Sequence, residues 1–117
     1  MKKVLATSLM LLALAPTLAG CGAREVRIIT TEMKFDPATI SARPGESIKF
    51  VIENKGEVRH EFVSDELKFE EVEVDPGEVK SVTVKVPKQP GEYSFYCEQK
   101  GHTEAGMTGK VVVSDGK

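Results

Sequence analysis

Tyr93-Ser94-Phe95-Tyr96-Cys97-Glu98-Gln99-Lys100-Gly101-His102-Thr103-Glu104-Ala105-Gly106-Met107-Thr108-Gly109-Lys110-Val111 is the stretch on which the fold turns. Its first residues, Tyr93 to Cys97, are aromatic and strand-like, and a further strand is predicted from Lys110 to Ser114. Between them Cys97, His102 and Met107 stand at a Cys-x4-His-x4-Met spacing, so one thiol, one imidazole and one thioether share a loop joining two strands. Gly101, Gly106 and Gly109 allow that loop to fold tightly, because glycine accepts backbone angles that other residues resist.

Upstream of this loop the pattern is again β. Val26, Ile28 and Thr30 alternate with Arg27, Ile29 and Thr31, predicting a first strand. Thr39 to Ala42 reads as a short extended piece closed by Pro44-Gly45. Ser47 to Glu53 alternates Ile48, Phe50 and Ile52 with Lys49, Val51 and Glu53, and Asn54-Lys55-Gly56 ends it as a turn. Strands are further predicted at His60 to Ser64, Val72 to Asp75 and Val79 to Val86, with Val82, Val84 and Val86 on one face and Val79 out of phase. Asp65 to Glu71 is ambiguous between a helical turn and an edge. Turn signals recur every 8–12 residues or so, which points to an all-β, Greek-key antiparallel β-sandwich in a single domain. Its predicted core is Ile, Val and Phe, with no tryptophan.

The first 20 residues stand apart from that domain. Lys2 and Lys3 precede an uncharged, nearly all-apolar run from Val4 to Leu18, and Leu18-Ala19-Gly20 leads into Cys21. A basic start, a short apolar core and a small-residue cleavage site describe a secretory signal. The run is shorter than the roughly 20 residues of a membrane span. Leu18-Ala19-Gly20-Cys21 resembles the lipobox of bacterial lipoproteins, which implies cleavage before Cys21 and its lipidation; the alternative is an ordinary secreted protein cut near Gly20 or Gly22. The expected organisation is a signal peptide over 1–20, a lipidated cysteine and tether over 21–25, and one domain over 26–117. Cleavage leaves 14 basic and 18 acidic side chains, a charge of −4. That balance argues against nucleic acid, which calls for a basic footprint. It also leaves Cys97 as a lone thiol in an oxidising compartment, a liability unless something occupies it.

The sequence holds two histidines, His60 and His102. His60 follows the Asn54-Lys55-Gly56 turn at the head of a strand, and in a Greek-key sandwich a distant strand end can come beside the last loop. His60, Cys97, His102 and Met107 together make two imidazoles, a thiolate and a weak thioether, the ligand set of a blue-copper centre. Thiolate and thioether suit Cu(I) and imidazole suits Cu(II) as well, so such a site accepts both oxidation states with little rearrangement. Zinc also accepts Cys and His and could take the same ligands. Taken singly, Cys97 reads as a small buried hydrophobe and Met107 as core filler; their joint spacing with both histidines is what carries the metal reading. Met33 has no such company and is assigned to the core. Tyr93, Phe95 and Tyr96 are read as strand packing, and Glu98 and Glu104 as solvent-facing loop residues rather than a docking patch.

With these residues in place the chain resembles the cupredoxins, the plastocyanin, azurin and rusticyanin group. Met33-x-Phe35-x-Pro37, Ile40, Gly45, Phe50 and Asn54 resemble the opening of bacterial cupredoxin domains. The Cys97–His102–Met107 spacing is similar to that of rusticyanin. The resemblance implies that His60, Cys97 and His102 are strong equatorial ligands and Met107 a long axial one. It further implies a monomeric one-electron carrier cycling Cu(I)/Cu(II), with an electron exit near His102 amid Gly101, Ala105 and Gly106. A cytochrome or terminal oxidase would be its partner, and the lipid anchor would hold it at the extracytoplasmic face of a bacterial membrane. Where many family members have Asn after the first histidine, this chain has Glu61. Two readings follow: a carboxylate that lowers the potential if close and desolvated, or, more simply, a residue whose backbone amide alone serves the Cys97 sulfur while its side chain stands in water.

Storage or delivery of copper is the competing function. It calls for an exposed, exchangeable site, often rich in methionine and histidine, and no such tail is present. Catalysis is disfavoured, because a second copper would need further histidines and only two exist. A binuclear copper centre is excluded by the single cysteine of the loop.

Overall fold

The computed structural model describes residues 22–115. The expected signal peptide and the expected lipidation site, Cys21, lie outside the described residues. Among the described residues nine strands are formed: β1 (Arg24–Thr31), β2 (Lys34–Asp36), β3 (Thr39–Ala42), β4 (Ser47–Asn54), β5 (His60–Phe62), β6 (Val72–Val74), β7 (Val79–Lys85), β8 (Gly91–Tyr96) and β9 (Thr108–Val113). No helix occurs among the described residues. The first strand begins at Arg24, inside the segment expected to be tether.

One sheet has the order β2-β1-β4-β7 and the other β3-β9-β8, with β5 and β6 as a separate pair. The sheets are mixed rather than antiparallel throughout. β1 runs parallel to β4, with Val26 opposite Phe50, and β3 runs parallel to β9, with Ile40 opposite Val111. The chain leaves the first sheet after β2, lays β3 in the second, and returns as β4 beside β1. A two-residue alternation fixes which side chains face inward but carries no information on strand direction, so the pattern could not distinguish the two.

The alternation itself is realised in the burial. Ile48, Phe50 and Ile52 of β4 are fully buried, and Ile40 and Ala42 on the inward face of β3 are buried. Val84 and Val86 face the core while Val79 lies exposed. Phe62 sits at the centre of an aromatic cluster, its ring centroid 4.9 Å from Phe95, 5.5 Å from Phe50 and 5.0 Å from Phe69, with Phe35 edge-on to Phe95 at 5.3 Å. Burying each such side chain contributes about 1.5–3 kcal/mol. This cluster lies under the strand ends that carry the candidate ligands, since Phe62 and Phe95 are each two residues from one of them.

Two local expectations are corrected. Met33 is not in the core: it is 41% exposed at φ 65° in the tight turn between β1 and β2, where Thr31 pairs with Lys34 and the intervening residues point outward. The following three-residue strand β2, unmarked by any alternation long enough to read, is what delivers Phe35 to the core. Asp65 to Glu71 forms neither helix nor strand. Asp65–Lys68 is a turn in which the Ser64 hydroxyl accepts from the Leu67 amide at 3.1 Å and donates to Ser94 O at 2.6 Å, turning Leu67 into the core.

Candidate metal centre

Cys97 follows β8 directly and Met107 directly precedes β9, so the β8–β9 ladder fixes both ends of the loop. Within it the Cys97 amide donates to Met107 O at 3.2 Å, Met107 N to His102 O at 3.0 Å and His102 N to Gln99 O at 2.9 Å. The Thr103 hydroxyl donates to Cys97 O. Gly101 and Gly106 occupy positive φ, 86° and 91°, as a loop this short requires. Gly109 serves differently: a Cβ there would collide with the Phe95 ring and lie 2.6 Å from Ala38 O, so its role is space rather than backbone freedom.

His60 arrives from far away in sequence. Its strand is drawn to the end of β8 by an isolated bridge in which Val63 N donates to Tyr96 O at 3.0 Å and Tyr96 N to Val63 O at 2.9 Å. The turn before it is built on Asn54, which is buried. Asn54 Nδ2 donates to Val58 O and Val74 O, both at 2.8 Å, and Oδ1 accepts from Gly56 N at 2.8 Å. From the β1–β2 turn, the Glu32 carboxylate accepts the amides of Glu57 and of Val58, the latter at 3.3 Å.

These elements bring His60, Cys97 and His102 together, with their donor atoms all within 4.8 Å of one another. Cys97 Sγ lies 3.4 Å from His102 Nδ1, and the two imidazole centroids are 5.1 Å apart. The Glu61 amide donates to Cys97 Sγ at 3.4 Å. Cys97 and Met107 are fully buried, His60 is 1% exposed and His102 8%. Both ring nitrogens of His60 are buried without a hydrogen-bond partner. A buried imidazole with idle nitrogens beside a buried thiol is costly unless something binds there, and this donor set fits copper. Burial, and next the neighbouring His102, push the His60 pKa down; burial pushes the Cys97 thiol up, against the opposing amides of Glu61 and Gln99. The metal-free pocket thus favours neutral imidazole and protonated thiol, so metal entry displaces the thiol proton.

Glu61 contributes its amide, as the simpler of the two readings expects, but its side chain does not stand in water as that reading has it. Its side chain is half-buried, 3.4 Å from the Gln99 amide, and its pKa is raised by burial first and then by Glu71, Glu73 and Glu98. Glu98 and Glu104 are exposed, while Phe95 is core and Tyr93 and Tyr96 are partly covered. Glu32 and the side-chain role of Thr103 have no signal in the sequence. The triple bonding of Asn54 has one only in its place before Lys55-Gly56, where a side chain that caps its own turn is common.

A β-sandwich with a buried thiol, thioether and two imidazoles at one pole defines a small copper-protein class. The family described as cupredoxin-like domain matches residues 4–113, and the chain belongs to that family. It is 39% identical over 109 residues to the copper-resistant cuproprotein CopI of Rubrivivax gelatinosus, covering 77% of this chain and 66% of that one. It is 40% identical over 91 residues to chloroplastic plastocyanin of Hordeum vulgare, covering 68% and 54%. The chain thus spans between about half and two thirds of the length of these curated relatives. Among solved structures, auracyanin A of Chloroflexus aurantiacus, a blue copper protein, superposes with a TM-score of 0.68 at 20% identity, covering 80% of this chain and 100% of that one. Reduced auracyanin of Roseiflexus castenholzii gives 0.67 at 19%, covering 80% and 99%. His60, Cys97, His102 and Met107 are positioned for copper binding in this fold.

Proposed function

We propose that the chain is a one-electron carrier holding a single copper ion through His60, Cys97, His102 and Met107. Bound there, copper supplies a one-electron change between Cu(I) and Cu(II). The observation that carries the reading is closure: all four side chains are buried, and His102, at 8%, is the one that reaches the surface, flanked by exposed Gly101, Ala105 and Gly106. A closed site retains its metal while an electron passes through the His102 edge. The loop's internal hydrogen bonds and the Glu61 amide hold the ligands in one arrangement for both oxidation states. No further histidine exists for a catalytic copper, so the reading assigns the chain no reaction of its own.

The anchor fits the same function. With Cys21 lipidated, β1 carries the chain from Arg24, three residues on, to Thr31, next to Glu32 and the His60 turn. At roughly 3.3 Å per residue, its eight residues span about 25 Å. So anchored, the copper pole would point away from an extracytoplasmic membrane surface, toward a redox partner such as a cytochrome or terminal oxidase. Such encounters are small and transient, and tethering raises their frequency.

Copper storage or delivery is the second reading, favoured by the likeness to a copper-resistant cuproprotein. Titrating the protein with Cu(II), followed by visible absorption and paramagnetic resonance, then cycling it with a reductant in the presence of a Cu(I) chelator, separates the two. A carrier develops an intense charge-transfer band that Cys97→Ala abolishes, and keeps its copper through reduction. Release to the chelator on reduction sinks the carrier reading and supports delivery; no Cys97-dependent band sinks both.

A further inference from the structure

The turn that delivers His60 is fastened by a residue outside the ligand set. Glu32 projects from the β1–β2 turn, and its Oε1 accepts the backbone amides of Glu57 and Val58. The same oxygen lies 3.8 Å from His60 Nε2, beyond hydrogen-bond range but close enough for direct electrostatic attraction. Gly56 leaves it room: a Cβ there would meet the Glu32 carboxylate and make it shift. Two amides therefore hold the carboxylate still, and a glycine makes room for it, against the one buried imidazole that has no hydrogen-bond partner.

We propose that Glu32 is the positioning residue of the metal centre: its carboxylate, pinned by the Glu57 and Val58 amides, faces His60 Nε2 and so selects the tautomer whose proton is on Nε2 and whose Nδ1 lone pair is left for the metal. The inference rests on the copper reading of His60. A fixed negative charge beside one ring nitrogen favours the proton there, and a histidine ligand oriented in this way binds metal more tightly. The same carboxylate ties the ligand to the β1–β2 turn, so ring orientation is set before metal arrives.

The test compares wild type with Glu32→Gln and Glu32→Ala. Nitrogen-15 NMR of the His60 ring in the metal-free and Cu(I) proteins reads the tautomer, and copper competition reads affinity. Wild type carries the proton on Nε2 in both states. Glu32→Ala mixes the tautomers in the metal-free protein and weakens copper binding by about 10–100-fold. Glu32→Gln keeps an oxygen for the two amides, so the turn stays folded, yet it lacks the charge. It gives an intermediate affinity loss and a raised reduction potential. Should Glu32→Ala fail to fold, Glu32→Gln alone decides. A wild-type tautomer, affinity and potential in Glu32→Gln, with only thermal stability lowered in Glu32→Ala, would overturn the proposal by reducing Glu32 to a turn fastener. A wild-type protein lacking any Cys97-dependent copper band overturns the copper reading as well, so the two failures are separable.

Discussion

The two regions that meet at the metal centre are built in opposite ways. The Cys97–Met107 loop carries three of the candidate ligands within eleven residues and is held by hydrogen bonds that close on itself, between Cys97, Gln99, His102, Thr103 and Met107. The His60 turn carries one ligand and is held almost wholly from outside. Asn54 reaches Val74, Glu32 reaches over from another turn, Arg59 pairs with Asp75 at 2.6 Å, and Val63 bridges to Tyr96. A short loop between paired strands can organise itself. A lone side chain cannot, and its position is inherited from every element that touches its turn. Damage to the loop should therefore read out first in metal binding, and damage to the turn's Asn54 scaffold first in folding.

The sharpest way to break that contrast is Cys97→Ala. It removes the soft anionic donor of the loop, and the charge-transfer band should disappear entirely while the metal-free protein stays folded, as circular dichroism would record. Loss of folding instead would mean that the loop supports the sandwich, against the comparison. Next in size is Asn54→Ala in the turn. It strands two carbonyls and an amide, at least one of them buried, and should cost about 2–4 kcal/mol in denaturant unfolding of the metal-free protein. Thr103→Val is its counterpart in the loop. It removes one hydrogen bond at the surface and should cost only about 0.5–1.5 kcal/mol, with a measurable loss of copper affinity. A larger stability loss for Thr103→Val than for Asn54→Ala would reverse the assignment of roles.

The gentlest perturbation is pH, acting on both regions of the metal-free protein. The folded state holds the His60 pKa below its ordinary 6.5, so below that value the unfolded chain binds more protons and stability falls as pH drops. It holds the Cys97 pKa above the ordinary 9.0, so above that value the folded chain binds more protons and stability falls as pH rises. Thermal unfolding should therefore show His60 contributing an acid-side loss and Cys97 an alkaline-side loss. Copper binding should cancel the second by taking the thiolate, and Cys97→Ala should remove it. An alkaline limb unchanged in Cys97→Ala would locate that proton elsewhere.

Most strand positions are legible because inward residues repeat every second position: Ile48, Phe50 and Ile52 in β4, Ile40 and Ala42 in β3, Val84 in β7 and Val86 just past it. The candidate ligands were legible through chemistry, since a thiol, a thioether and an imidazole at Cys-x4-His-x4-Met serve little purpose together except as metal donors. β2 was not legible, because three residues are too short to show a period. Met33 misled for a related reason: apolar character alone does not say whether a turn residue points in or out. Gly109 looks like a source of backbone freedom beside Gly101 and Gly106, but the Phe95 ring against it makes it a matter of volume.

Periodicity, spacing and the chemistry of individual side chains are local properties, and they carry the all-β class, the family resemblance and the donor set. The tertiary structure decided the rest. The parallel pairings β1–β4 and β3–β9 depend on which sheet each strand joins. The closure of the site depends on the Val63–Tyr96 bridge that brings His60 to Cys97. The approach of Glu32 to His60 depends on two turns, 28 residues apart in the chain, meeting at one pole of the sandwich. Each is a long-range contact whose free energy exists only once the chain has closed on itself, and local patterning has no means of recording it.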